Sequence, residues 1–150
     1  MDEPACRQQA LNLLARREHS RLELERKLSA RSYPDAVISV VLDALEAAKL
    51  LDSARFTESF IRSRVSKGHG PVRIRRDLAE RGIASAESAD FLRDADIDWY
   101  AAAKRARSKK FGDMPMTDFK QRARQSRFLQ YRGFTIDQIK AALDLNGEFE

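Results

Sequence analysis

Two histidines, one cysteine and scattered carboxylates are the side chains of this 150-residue chain best equipped to break bonds or hold metal. His19 and His69 stand 50 residues apart with no cysteine beside either, which is not the spacing of a metal-ligand set. Gly68-His69-Gly70-Pro71 is too short for a phosphate-cradling loop and lacks the Gly-Lys-Ser/Thr ending. Serines are plentiful, yet no Gly-x-Ser-x-Gly or Ser-x-x-Lys nucleophile motif occurs. The expectation is a protein with no catalytic residues, no metal and no cofactor, and hence not an enzyme.

The chemistry that remains is ionic. Lys120, Arg124, Arg127 and Tyr131 are separated by 4, 3 and 4 residues. At about 100° per residue they form a single helical stripe, and no acid shares that face. Such a stripe suits phosphates, with Tyr131 available to stack on a base or fill an apolar notch. The plainer alternative is a solvated cationic face with a partly buried tyrosine. A second group is Arg73, Arg75 and Arg81. Arg73 with Asp77, and Arg76 with Glu80, are spaced i to i+4 and partly cancel. Arg75 has no such acid and is the more available cation. Arg132 joins the list as the last base of the stretch from Tyr100 to Arg132. From Tyr100 to Arg132 there are ten basic residues and two acidic, net +8; from Gly82 to Trp99 there is one basic and five acidic, net −4. Charge is therefore zoned along the chain.

The elements that must carry these residues repeat. Leu28-Ser29-Ala30-Arg31-Ser32-Tyr33, Leu78-Ala79-Glu80-Arg81-Gly82-Ile83 and Leu129-Gln130-Tyr131-Arg132-Gly133-Phe134 share one pattern, at intervals of 50 and 51 residues. An apolar anchor is followed three residues later by Arg, then Gly or Ser, then a large apolar residue. This period predicts tandem supersecondary units, each burying its apolar side on its neighbours and together presenting a long binding surface. Packing and capping account for the Leu, Gly and apolar positions. The Arg in each last turn also favours the negative helix end.

Nearly every segment reads as helix. The first runs from about Ala5 to Glu18 with Ala10, Leu11, Leu14 and Ala15 on one side. Ser20 with Glu23 is a capping box opening a second helix that ends near Arg31. Pro34 starts a third, carrying Val37, Val40, Val41, Leu42 and Leu45. Asp52 or Ser53 caps a helix with Phe56, Phe60, Ile61 and Val65. Pro71 starts the next, with Ile74 and Leu78 inside and Gly82 as its left-handed cap. Ser85 caps a helix through Ala89, Phe91 and Leu92. Trp99, Ala102, Ala103 and Ala106 share one face of the seventh. Gly112 to Pro115 is a turn, and a helix follows from about Thr117 to Arg132 with Gly133 as cap. Thr135 with Gln138 is a second capping box, opening a last helix through Ile136, Ile139, Ala142 and Leu143. The expected fold is all-α: nine helices in three three-helix, helix-turn-helix-like repeats spanning 1–51, 52–98 and 99–150.

Composition sets the setting. Hydrophobic residues are 43% of the chain and charged residues 34%, with net charge +5 and a pI near 9.6. That balance fits a helical protein with a modest core and permits contact with nucleic acid or an acidic protein surface. A single cysteine, Cys6, rules out an internal disulfide and points to a reducing compartment. The apolar run Ala36 to Leu42 is interrupted by Ser39 and too short to span a bilayer, and Met1-Asp2-Glu3-Pro4 lacks the features of a signal peptide. A cytoplasmic monomer is expected.

One family resemblance covers nearly the whole chain. Leu51-Asp52, Phe56, Phe60-Ile61, Arg64, Gly68-His69-Gly70-Pro71, Arg73-Ile74, Leu78 and Gly82-Ile83 resemble the central signature of RecX, the bacterial regulator of the RecA recombinase. Leu14-Ala15-Arg16-Arg17-Glu18-His19-Ser20, Glu23-Leu24 and Lys27-Leu28 are similar to its first repeat, and Phe128-Leu129, Arg132-Gly133-Phe134 and Ile139 to its third. His69 stands where Tyr is common, and Ser53 where a second acid is common. The resemblance implies three tandem three-helix repeats in an elongated, curved array. It also implies a partner, the RecA filament on single-stranded DNA, in whose helical groove relatives lie. What it implies as activity is inhibition of RecA ATPase, strand exchange and coprotease action, and so control of recombination, DNA repair and the SOS response. Weak direct contact with single- or double-stranded DNA is compatible with this. The competing expectation is a direct DNA binder using helix-turn-helix-like units around the Gly68 to Pro71 turn. A third is an adaptor that engages neither partner.

Overall fold

A computed structural model describes residues 2–112 and 118–143. The described residues form nine helices and no strand: α1 (Asp2–Arg16), α2 (Arg21–Ala30), α3 (Asp35–Ala47), α4 (Ser53–Ser66), α5 (Pro71–Glu80), α6 (Ser85–Asp94), α7 (Trp99–Phe111), α8 (Phe119–Arg132) and α9 (Ile136–Ala142). They divide into two compact units, Met1–Phe60 with Leu78–Ala84, and Ile61–Asp77 with Ser85–Glu150.

In the first unit α1, α2 and α3 close on a core of Cys6, Ala10, Leu13, Leu24, Leu28, Ile38, Val41, Leu42, Leu45 and Leu51. A fully buried Leu or Ile contributes about 1.5–3 kcal/mol over an exposed one, so this cluster is what holds the three helices together. Two expected faces are rotated. α1 starts at Asp2, and its inner stripe is Cys6, Ala10 and Leu13, with Leu11 and Leu14 half-buried and Ala15 exposed. In α3 the stripe is Ile38, Val41, Leu42 and Leu45, spaced i, i+3, i+4 and i+7, while Val40 is 52% exposed. The Ser20 capping box is present: Glu23 N donates to Ser20 Oγ (3.1 Å) and Ser20 N to the Glu23 carboxylate (3.0 Å). Asp52 rather than Ser53 takes the cap of α4, accepting from Arg55 N at 3.0 Å.

The second unit centres on Ala102, Ala103, Leu129, Phe134, Ile139, Ala142 and Leu143, contributed by α7, α8 and α9. Asp98 caps α7 through Ala101 N, and Asp118 caps α8 through Gln121 N. Thr135 and Gln138 form the second capping box. Ile136 is 70% exposed, because the cap places the inner face of α9 at Ile139 and Ala142. Gly112 (φ 78°) ends α7, and positions 113–117, on which the expected turn to Pro115 and the expected helix start at Thr117 fall, lie outside the described residues.

The repeated motif has one backbone form. Leu28, Leu78 and Leu129 are fully buried. Each carbonyl accepts from the amide five residues on: Tyr33 N at 3.4 Å, Ile83 N at 3.0 Å and Phe134 N at 3.2 Å. The intervening Ser32, Gly82 and Gly133 all have positive φ, at 68°, 86° and 98°. This is the hydrogen-bonding scheme that ends a helix through a left-handed residue and buries the apolar side chain that follows.

Candidate functional site

Lys120, Arg124 and Arg127 are exposed along α8, and Tyr131 is 78% exposed at its end. The stripe read from spacing is therefore a surface feature, and Tyr131 is not a core residue. Two cation–ring contacts border the stripe. The Arg124 guanidinium lies 5.4 Å from the Phe111 ring centre, and the Arg73 guanidinium 5.5 Å from that of Tyr131. Arg73 thus joins α5 to the stripe in the same unit.

Arg73 is held from below. Its Nε is 3.8 Å from Asp77 Oδ2, the expected pair. Asp77 also receives Arg64 Nη1 at 2.9 Å and lies 3.7 Å from Arg76 Nε. The acid that Arg76 meets is therefore Asp77, one residue on, rather than Glu80. Arg75 is exposed and donates to Ser85 Oγ at 2.8 Å, with no ion-pair partner among the described residues. Arg81 lies in the first unit, its Nε 3.5 Å from Glu23 Oε2 and its guanidinium 4.9 Å from the Phe60 ring centre. Burial alone would raise the Glu23 carboxyl, but hydrogen bonds from Arg17 and from Ser20 N outweigh it and hold it below the usual carboxylate range. Arg132 donates from Nη1 to the carbonyl of Lys67 at 2.9 Å and covers Phe128 at 5.0 Å. The candidates fall into an open set (Lys120, Arg124, Arg127, Tyr131, Arg75) and a braced set (Arg73, Arg81, Arg132).

His69 precedes all of these residues in sequence and is buried. Its Nδ1 has no hydrogen-bond partner among the described residues. Burial, and then the charges of Arg73, Arg64 and Arg132, lower its pKa to about 4. The glycines beside it allow a close approach. Gly70 N donates to Arg132 O at 2.7 Å and Val72 N to Gly133 O at 2.9 Å, so the start of α5 is stitched to the end of α8.

Spacing alone missed a second cationic feature. Lys67, Arg105, Lys109, Lys110 and Arg132 line a groove of about 460 Å³ formed by the end of α4, by α7 and by α8. Ala102, Ala106 and Gly68 leave the space. The signal was present in α7, where small residues at 102 and 106 alternate with cations at 105 and 109. Among the described residues no group of three or more His, Cys, Asp or Glu is placed to hold a metal ion. No helix among them is long and apolar enough to cross a membrane.

Fold and surface together define an all-helical protein of three-helix units with a cationic face on α8. Models of the first, second and third three-helix domains of RecX match residues 6–45, 52–90 and 96–143. The chain belongs to the RecX family. It is 48% identical to the regulatory protein RecX of Halorhodospira halophila over 92% of this chain and 86% of that one. It is 43% identical to the regulatory protein RecX of Pseudomonas savastanoi pv. phaseolicola over 98% and 96% of the two chains. Its fold is also similar to the crystal structure of RecX from Lactobacillus salivarius, with a TM-score of 0.77, 22% identity, and coverage of 96% of this chain and 97% of that one. A second RecX crystal structure gives a TM-score of 0.79 at 20% identity, covering 95% and 73%.

Proposed function

We propose that this protein is a non-enzymatic regulator that binds the RecA filament on single-stranded DNA and restrains RecA's ATPase, strand exchange and coprotease activities. Family membership supports RecA as the partner, since relatives carry the name regulatory protein RecX. The observation in this chain that carries the reading is the open stripe of Lys120, Arg124, Arg127 and Tyr131 on α8. A long cationic face with an aromatic at one end fits a partner rich in phosphate, and also an acidic protein surface. Repeats over 1–51, 52–98 and 99–150 would offer such a partner several contact points, and a monomer acting in the cytoplasm suffices for this.

The test is RecA's single-stranded-DNA-dependent ATP hydrolysis, titrated with this protein at substoichiometric amounts. Strong inhibition that survives excess DNA is the expected result. Replacing Lys120, Arg124 and Arg127 with Glu weakens it severalfold while the helical circular dichroism stays unchanged. No inhibition by the parent protein overturns the reading. Inhibition that disappears when DNA is in excess favours the second reading, a direct DNA binder, which the basic zone of the final third supports.

A further inference from the structure

We infer that the groove between the end of α4, α7 and α8 is a binding channel for the phosphodiester backbone of a nucleic-acid strand, separate from the α8 stripe. This deepens the reading above, from which it takes only the expectation of a nucleic-acid partner. Five cations line the groove and no acid does. Two of them are already engaged: Lys110 and Arg132 face the Phe128 ring at 6.0 and 5.0 Å, and Arg132 is tied to the Lys67 carbonyl. The charged ends of Lys67, Arg105 and Lys109 have no acidic partner among the described residues. Arg105 and Lys109 are i and i+4 on α7, where like charges repel by about 0.2–0.5 kcal/mol. An anion lying along the groove removes that penalty.

The arrangement selects a strand over other anions. A single phosphate site gathers its donors around one point. Here the cations of α7 are one turn apart, about 6 Å along the helix, and Lys67 in the turn after α4 and Arg132 on α8 continue the wall. That is a line of charge, matched by a ligand with a phosphate at every residue. Apart from the turn at Lys67 and Gly68, the groove is walled by helices, and no strand edge lines it with which to pair an extended peptide. Its small residues, Gly68, Ala102 and Ala106, leave room for a ligand beside the cations. The volume of about 460 Å³ is in the range that holds a ligand of about nucleotide size.

The experiment is fluorescence anisotropy of a short fluorescein-labelled oligothymidylate with the full chain, without RecA, across a salt series. The parent protein binds, and K67E/R105E/K109E lowers the affinity at least tenfold. Loss of three phosphate contacts lowers the slope of log K against log salt by about 2, at about 0.7 per contact. Unlabelled oligothymidylate displaces the probe, and inorganic triphosphate at the same phosphate concentration does not. Unchanged binding by the variant overturns the proposal. So does equal displacement by triphosphate, which would make this a site for free polyphosphate. If the triple variant loses its helical spectrum, R105Q/K109Q decides in its place, both positions being exposed on α7. RecA is absent, so the two readings fail separately: inhibition of RecA without strand binding sinks the groove alone, and strand binding without inhibition sinks the regulator alone.

Discussion

His69 is an imidazole that folding keeps neutral. Three arginines surround it electrostatically (Arg64, Arg73 and Arg132), Asp77 opposes them, and burial outweighs each of these. Its folded pKa of about 4 lies below the ordinary value of about 6.5. The unfolded chain therefore takes up the proton first as pH falls. Stability from this residue is complete above about pH 6.5 and is lost as pH falls through the window down to about 4. Between pH 7 and 5 the loss amounts to about 2 kcal/mol. Urea unfolding at the two pH values measures it. His69→Tyr, which titrates far above this window, flattens the pH dependence by about that amount. An identical pH dependence in the variant would show that His69 is solvated or hydrogen-bonded when folded. His19, whose pKa burial also lowers, supplies a background shared by both proteins.

At the level of elements, the helix-ending glycines explain why the repeat reads Ser-Tyr once and Gly-Ile or Gly-Phe elsewhere. A Cβ on Gly133 would lie 2.2 Å from Arg73 Cβ and 2.6 Å from Arg73 N, and one on Gly82 would meet Leu22 Cβ at 3.1 Å. In each unit the end of one helix is pressed on the start of another, so glycine is required by space as well as by φ. Ser32 has the same left-handed backbone but is exposed, and a side chain is tolerated. Gly133→Ala is expected to cost about 3 kcal/mol, combining left-handed strain with overpacking. Ser32→Gly is expected to change stability by less than about 1 kcal/mol, since relief of strain is offset by a freer unfolded chain. Thermal unfolding of both variants tests the contrast, and a mild Gly133→Ala would disprove the close packing. These caps, like the two capping boxes, were legible in sequence because they depend on residues within five positions of each other. The rotation of three helices was not. Of the apolar residues named along these helices, Ala15, Val40 and Ile136 point outward, while Cys6 and Ile38 lie in the core. Where apolar residues run around more than one stripe, as from Ala36 to Leu42, periodicity leaves the inner face open, and only packing against α1 and α2 selects it.

For the molecule as a whole, the charge zoning read from sequence, net −4 over 82–99 and +8 over 100–132, has physical content in the second unit, where two cationic features coexist. The stripe was legible because four residues of one helix define it. The groove was not, because Lys67 and Arg132 are 65 positions apart and meet only through the Arg132 to Lys67 hydrogen bond. Whether both features grip the same strand is decided by combining their variants. If each contacts its own phosphates, K120E/R124E/R127E and K67E/R105E/K109E lower oligothymidylate affinity by factors that multiply, and their reductions in salt slope add. The combined variant then retains almost no salt dependence. If it binds no worse than the groove variant alone, the stripe does not touch the strand. Lys120, Arg124 and Arg127 would then face an acidic protein surface, and their substitution would weaken ATPase inhibition while leaving strand binding unchanged. The two assays on the same set of variants thus assign each group of cations to nucleic acid or to protein.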